Sequence, residues 1–209
     1  MVDTHHPAPP DSVGDFSTRL GAFDLEQTAR RIGHYLWIER QLFETIGAWI
    51  ATMREIEVKI HFGVLTHHHA SHAEWFHRSL PEVVGFDADR VTAPPNPELE
   101  TFVAAMSEPA DADRTIEKLV GVYRVLVPRK IAAYRYHLGH TSAMADGPTA
   151  RVLRFVLTEE IDDWGTGEAL VQSLVTTPDD VRRATQHTAR LEALMTAAGG
   201  IAGPGTLGH

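Results

Sequence analysis

The chain has 209 residues, 43% of them hydrophobic, and no cysteine. It can therefore bury one substantial core, and disulfides, zinc–thiolate sites and thiol nucleophiles are excluded. A formal net charge of −9, with acids and bases mixed along the sequence, speaks against a nucleic-acid partner. No run approaches ~18 uninterrupted apolar residues, so no membrane span is expected.

Residues 1–20 are expected to form a flexible N-terminal tail. Met1 to Gly14 is rich in proline and histidine and lacks the apolar segment of a secretory signal. That and the cysteine-free composition suit a cytoplasmic setting. The helical domain is expected over 21–198. Its first helix runs from about Asp24, a suitable N-cap, to Thr52. Leu25, Ala29, Ile32, Leu36, Glu39, Phe43, Ile46 and Ile50 recur in it at alternating four- and three-residue steps, a bundle seam with one polar position. The second helix spans about Glu55 to Leu80, where Pro81 ends it, and its seam reads Val58, Phe62, Leu65, His69, His72, Phe76. Only a short corner near Met53-Arg54 separates the two, which predicts an antiparallel hairpin.

Gly85 to Pro109 has a mixed composition with a proline-rich loop at Ala93 to Pro97 and a short helix over Glu98 to Met106. It reads as a long crossover. The third helix, about Asp113 to His140, aligns Ile116, Leu119, Tyr123, Leu126, Lys130, Ala133 and His137, and Pro128 inside it removes a backbone donor and predicts a kink. Asp146-Gly147-Pro148 turns the chain into a fourth helix reaching Leu174, with Val156, Glu160, Asp163, Gly167, Leu170 and Leu174 on its seam. Asp179 or Asp180 is expected to cap a fifth helix ending near Ala198. Residues 199–209 contain five glycines and a proline and read as a Gly-rich tail or strap. The predicted fold is all-α: two antiparallel hairpins joined by a long crossover, with a C-terminal fifth helix, an arrangement that describes a ferritin-like four-helix bundle.

Every seam carries ionisable residues. Unpaired charge is too costly for a bundle core, so these groups must satisfy one another, bind metal or line a wet pocket. Hairpin register sets the encounters. A corner near residue 54 places Glu39 level with His69, with His72 one turn away. A corner near residue 145 places Glu160 level with Lys130, with Asp163 one turn on. Imidazoles at i and i+3 project to one side, as a metal requires, and adding Glu39 or Glu160 gives the two-His-one-carboxylate set that suits non-haem iron. Manganese and zinc use the same donor types. The metal-free alternative pairs Glu160 with Lys130 and Glu39 with a histidine. Tyr123 and Tyr134 read as packing residues with hydrogen-bonded hydroxyls, and His68 as a reserve ligand. Glu74 and His77, a literal Glu-x-x-His match, lie about 200° around the helix from His72 and belong to a solvated face.

Gly33-His34-Tyr35-Leu36-Trp37-Ile38-Glu39, His68-His69-Ala70-Ser71-His72-Ala73-Glu74 and Glu159-Glu160-Ile161-Asp162-Asp163-Trp164 resemble segments of bacterial proteins in the ferritin-like superfamily, whose members often hold two metal ions within four helices. The superfamily pattern is a Glu on the first and third helices and Glu-x-x-His on the second and fourth. Glu39 matches the first position. His69-Ala70-Ser71-His72 matches the second with His for Glu, and Glu160-Ile161-Asp162-Asp163 the fourth with Asp for His. Lys130 stands where the third helix should carry a carboxylate. The resemblance implies iron held by Glu39, His69, His72, Glu160 and Asp163, a mono- or dinuclear centre, and oxidation of a small organic molecule with dioxygen. Lys130 is then the candidate catalytic residue, an anchor for an anionic substrate. A homodimer is compatible with such a bundle. The competing function is a ligand-binding or interaction bundle whose metal site has degenerated.

Overall fold

A computed structural model describes residues 22–80, 87–142 and 146–204. Among these the regular structure is entirely helical, with no strand. Helix α1, Leu25–Ile50, begins at a reciprocal cap: the Asp24 carboxylate accepts from the Gln27 backbone N–H, and the Gln27 side chain accepts from that of Asp24. This satisfies two of the helix's otherwise orphaned donors. Its seam drifts from the expected one. Phe43 is 45% exposed and Leu25 is exposed too, whereas Leu42, Ile38 and Tyr35 are buried. A helix of ~3.6 residues per turn rotates away from a strict seven-residue repeat over this length. Helix α2, Ile56–Arg78, buries Val58, Phe62, Leu65, His69, His72 and Phe76 as predicted.

The crossover contains a short helix absent from the sequence reading, α3 (Ala88–Val91), and then α4 (Pro97–Ser107), capped by Asn96. Gly33 is the point at which α3 meets α1: a Cβ there would lie 2.1 Å from the Val91 carbonyl oxygen. The third long helix is continuous but changes pitch, as α5 (Thr115–Val120), a π-helical turn over Gly121–Leu126, and α6 (Val127–Gly139). Proline explains the change. Val127 donates to the Val122 carbonyl, five residues back. The next bond in that ladder would join Pro128 to the Tyr123 carbonyl, and proline has no N–H to give. The Trp164 indole N–H takes its place, donating to the Tyr123 carbonyl at 2.9 Å. The loss anticipated at Pro128 is thus met by a wide turn and a side-chain donor from the neighbouring helix.

Helix α7, Gly147–Leu174, and helix α8, Pro178–Ala198, complete the chain. Thr177, rather than either aspartate, is the N-cap of α8; Asp180 supplies the other half of a capping box by accepting from the Thr177 backbone. Contacts fix the helix directions. Contacts 35–76 and 49–62, 68–163 and 75–155, 123–164 and 130–160, and 35–134 and 39–130 each run in opposite directions along their two helices, so these pairs are antiparallel. Helix α2 and the third long helix run parallel, since 61 meets 123 in the π-helical turn and 69 meets 130 in α6. Helix α8 lies outside this set of four, tied by Arg183 to Glu117 and by Arg129 to Glu192. Gly199 closes it at φ 69, after which Ile201 and Ala202 are buried and Asn96 donates to the Ala198 carbonyl. The last segment to residue 204 therefore straps the crossover. Among the described residues no helix is long and apolar enough to cross a membrane.

Candidate metal centre

Each of the four long helices sends a polar group into one buried cluster. Glu39 comes from α1, His69 and His72 from α2, Lys130 and Tyr134 from α6, and Glu160 from α7; all are essentially inaccessible to solvent. His69 Nδ1–H donates to Glu39 Oε2 at 2.7 Å. Tyr134 O–H donates to the other oxygen, Glu39 Oε1, at 2.6 Å, and Lys130 Nζ lies 2.9 Å from that same atom. Lys130 also donates to Glu160 Oε1 in a short contact. The ammonium therefore bridges the two carboxylates.

One ligand atom from each of Glu39, His69, His72 and Glu160 can be chosen so that all lie within 4.8 Å of one another. His69 Nδ1 is 2.7 Å from Glu39 Oε2 and 3.9 Å from Glu160 Oε1, and His72 Nδ1 is 3.6 Å and 3.3 Å from the same two atoms. Donors sharing an ion at ~2.1 Å stand roughly 3 Å apart, so His72 Nδ1 is near that spacing from both carboxylate oxygens, whereas His69 Nδ1 would have to give up the proton that it donates to Glu39 before it could join them. Two details support the fit. His72 Nε2–H donates to Glu159 at 2.8 Å, which turns Nδ1 toward the cluster, where it has no hydrogen-bond partner, as is also true of Glu160 Oε2. A ligating imidazole whose second nitrogen is held by a carboxylate is the usual way a protein fixes a metal ligand.

Electrostatics show how the cluster is tolerated in the core. Burial pushes the Glu39 carboxyl up, but Lys130 and His69 outweigh it and hold it well below its ordinary range. Glu160 is lowered in the same way, against burial, mainly by Lys130. Burial disfavours the Lys130 ammonium, yet Glu160 and Glu39 raise it. Burial and Lys130 keep His69 neutral. Burial also opposes a charge on His72, but Glu160 and Glu39 overcome it and raise that imidazole to about 10. Two anions are thus balanced by Lys130 and protonated His72, and a divalent ion would take the place of the His72 proton.

The structure brings together Glu39, His69, His72 and Glu160 from the predicted ligands, with Lys130 between the carboxylates. Asp163 lies outside that group. It accepts from His68 Nδ1–H at 2.7 Å, at the edge of the bundle where the His68 side chain is 25% exposed. Glu74 bonds to Arg78 on the surface, in keeping with a solvated face. Glu159, 27% exposed, has a role the sequence did not suggest.

His137, near the cluster in sequence, is buried among Phe23, Tyr35 and Arg31, and neither ring nitrogen has a partner. Burial, then the nearby Arg31 and His140, lower it to about 3. The unfolded chain protonates this histidine below its ordinary value of 6.5, whereas the folded chain resists until about 3. Its contribution to stability is therefore complete above 6.5 and declines as pH falls through that window. Urea unfolding at pH 7 and pH 5 is expected to show the parent losing about 2 kcal/mol more than His137→Leu. Parallel losses in the two proteins would contradict this.

Compared with known proteins, the chain matches no family model, no curated protein and no solved structure.

Proposed function

We propose that the chain is a ferritin-like metalloprotein holding a single divalent ion, iron in our reading although manganese and zinc use the same donor types, and that it oxidises a small organic molecule with dioxygen. The antiparallel helix directions, the crossover between hairpins and the polar groups at mid-helix support the ferritin-like reading. The observation that carries the metal reading is His72, whose Nδ1 faces two buried carboxylates without a hydrogen-bond partner while Nε2 is held by Glu159. Lys130 limits the centre to one ion: its ammonium touches both carboxylates, and its charge occupies the place of a second cation. When bound, iron supplies a redox-active Lewis acid with positions open to dioxygen and substrate. The protein's own groups do the rest. Glu159 orients His72, Tyr134 holds Glu39 by one oxygen so that the other faces the histidines, and Lys130 offers an ammonium to an anionic substrate group.

A metal-free binding bundle is the second reading, favoured by the internal charge balance of Lys130 and His72 against Glu39 and Glu160. Metal analysis separates the two. Protein produced with ferrous iron is expected to retain it stoichiometrically, and His69→Ala/His72→Ala to lose it. A parent that holds no metal and melts identically with and without chelator would establish the metal-free reading, and unchanged metal in the double variant would move the site elsewhere.

A further inference from the structure

One turn beyond His72 on α2 is Trp75, whose ring centroid lies 5.7 Å from that of His72. Trp75 packs edge-to-face on Phe155 of α7, with centroids 4.9 Å apart at 84°. These rings, with Val152, Thr158, Arg151 and Arg154, line a groove of about 570 Å³, within the range of small-molecule sites. Phe155 is 54% exposed, an unusual state for a large aromatic with a packed neighbour. The two arginines in the lining are exposed and have no acidic neighbour in it. Arg30, Arg78, Arg124, Arg129, Arg183 and Arg190 all engage carboxylates. Among the described residues, the Arg151 and Arg154 guanidinium groups engage none, although the chain carries excess acid.

A mainly apolar lining that includes two arginines without carboxylate partners suits a ligand that is apolar at one end and anionic at the other. Guanidinium matches carboxylate geometry with two parallel donors. Two flat rings set edge-to-face leave an aromatic face free to stack. The only side-chain hydroxyl in the lining, that of Thr158, is turned to the Arg154 carbonyl, so the floor offers little to a polyhydroxylated or strongly hydrated ligand. We propose that this groove binds a small aromatic carboxylate, with its ring against Phe155 and Trp75 and its carboxylate on Arg151 and Arg154. The groove also adjoins the centre, since Trp75 in its lining packs against His72. As a substrate site it rests on the metal-centre reading; as a binding site it does not.

Phenylacetate is the probe, titrated against the full chain by tryptophan fluorescence and calorimetry, with benzyl alcohol and inorganic phosphate in parallel. Saturable binding is expected for phenylacetate, with benzyl alcohol and phosphate each weaker by about tenfold or more. Arg151→Gln/Arg154→Gln is expected to weaken phenylacetate by a similar factor; both side chains are exposed, and circular dichroism confirms that the variant folds. Trp75→Phe should abolish the fluorescence change while calorimetric binding survives. Equal affinity for benzyl alcohol or phosphate, or full affinity in the double-arginine variant, would overturn the proposal. Binding that persists in His69→Ala upholds the groove even where the metal reading fails. An iron-loaded parent without phenylacetate binding removes the groove and leaves the centre standing.

Discussion

Lys130→Met is expected to melt about 10 °C below the parent in chelated buffer, a loss of ~3–5 kcal/mol. Methionine fills nearly the same volume, so the effect isolates the ammonium. Its removal leaves Glu39 and Glu160 facing each other in the core with only His72 to neutralise them. At least one carboxyl must then take up a proton, and the Lys130 ion pairs to both disappear. Breaking a buried charge set by deleting one member is far more costly than never having built it. Two further measurements give the result its meaning. Adding Glu160→Gln to the variant is expected to recover part of the loss, because the remaining carboxylate is matched by His72. Divalent metal is expected to raise the melting temperature of Lys130→Met by more than that of the parent, since the ion then enters a site with an unmet negative charge. A variant as stable as the parent without metal would show that the carboxylates accept protons at little cost.

The second large effect is expected at Gly167→Ala, about 1–3 kcal/mol by thermal or urea unfolding. A Cβ at this position would lie 2.3 Å from Cδ1, Cε1 and Cζ of Tyr123. The ring has no easy retreat. It is fully buried, its hydroxyl shares a 2.6 Å hydrogen bond with His61 Nε2, and its carbonyl is held by Trp164. One added methyl therefore presses on the π-helical turn and on the helix that carries Lys130. Tyr123→Leu in the same chain removes the opposing ring, so the double variant is expected to be much less destabilised than the two single losses added together. Additive losses would place the strain elsewhere.

Most of the helices were legible because the seam residues recur at the helical period, and the two hairpin registers because short corners leave little freedom. Glu39 meets His69 and Lys130 meets Glu160 as those corners require. The pairs that join one hairpin to the other were not legible. His68 with Asp163 and His72 with Glu159 depend on the axial offset of α2 against α7, and a long crossover leaves that offset undetermined. Asp163 was therefore grouped with the candidate ligands, and Glu159 was given no role. Phe43 illustrates a second limit: a repeat extrapolated over many turns drifts off the true seam. Pro128 announced a missing donor, but sequence alone could not show that Trp164, on another helix, would stand in for it.

Lys130 also bears on the order of events in the life of the molecule. A metal ion is a diffusible component, present or absent with supply, whereas a lysine is delivered with every copy of the chain. With Lys130 and the His72 proton already offsetting the two acids, the bundle closes on its own counterions. If the proposed ion binds, it would enter a finished interior and exchange for a proton rather than for disorder. On the proposed metal reading, folding would not have to wait for the ion, and the chain is expected to fold whether or not metal is supplied.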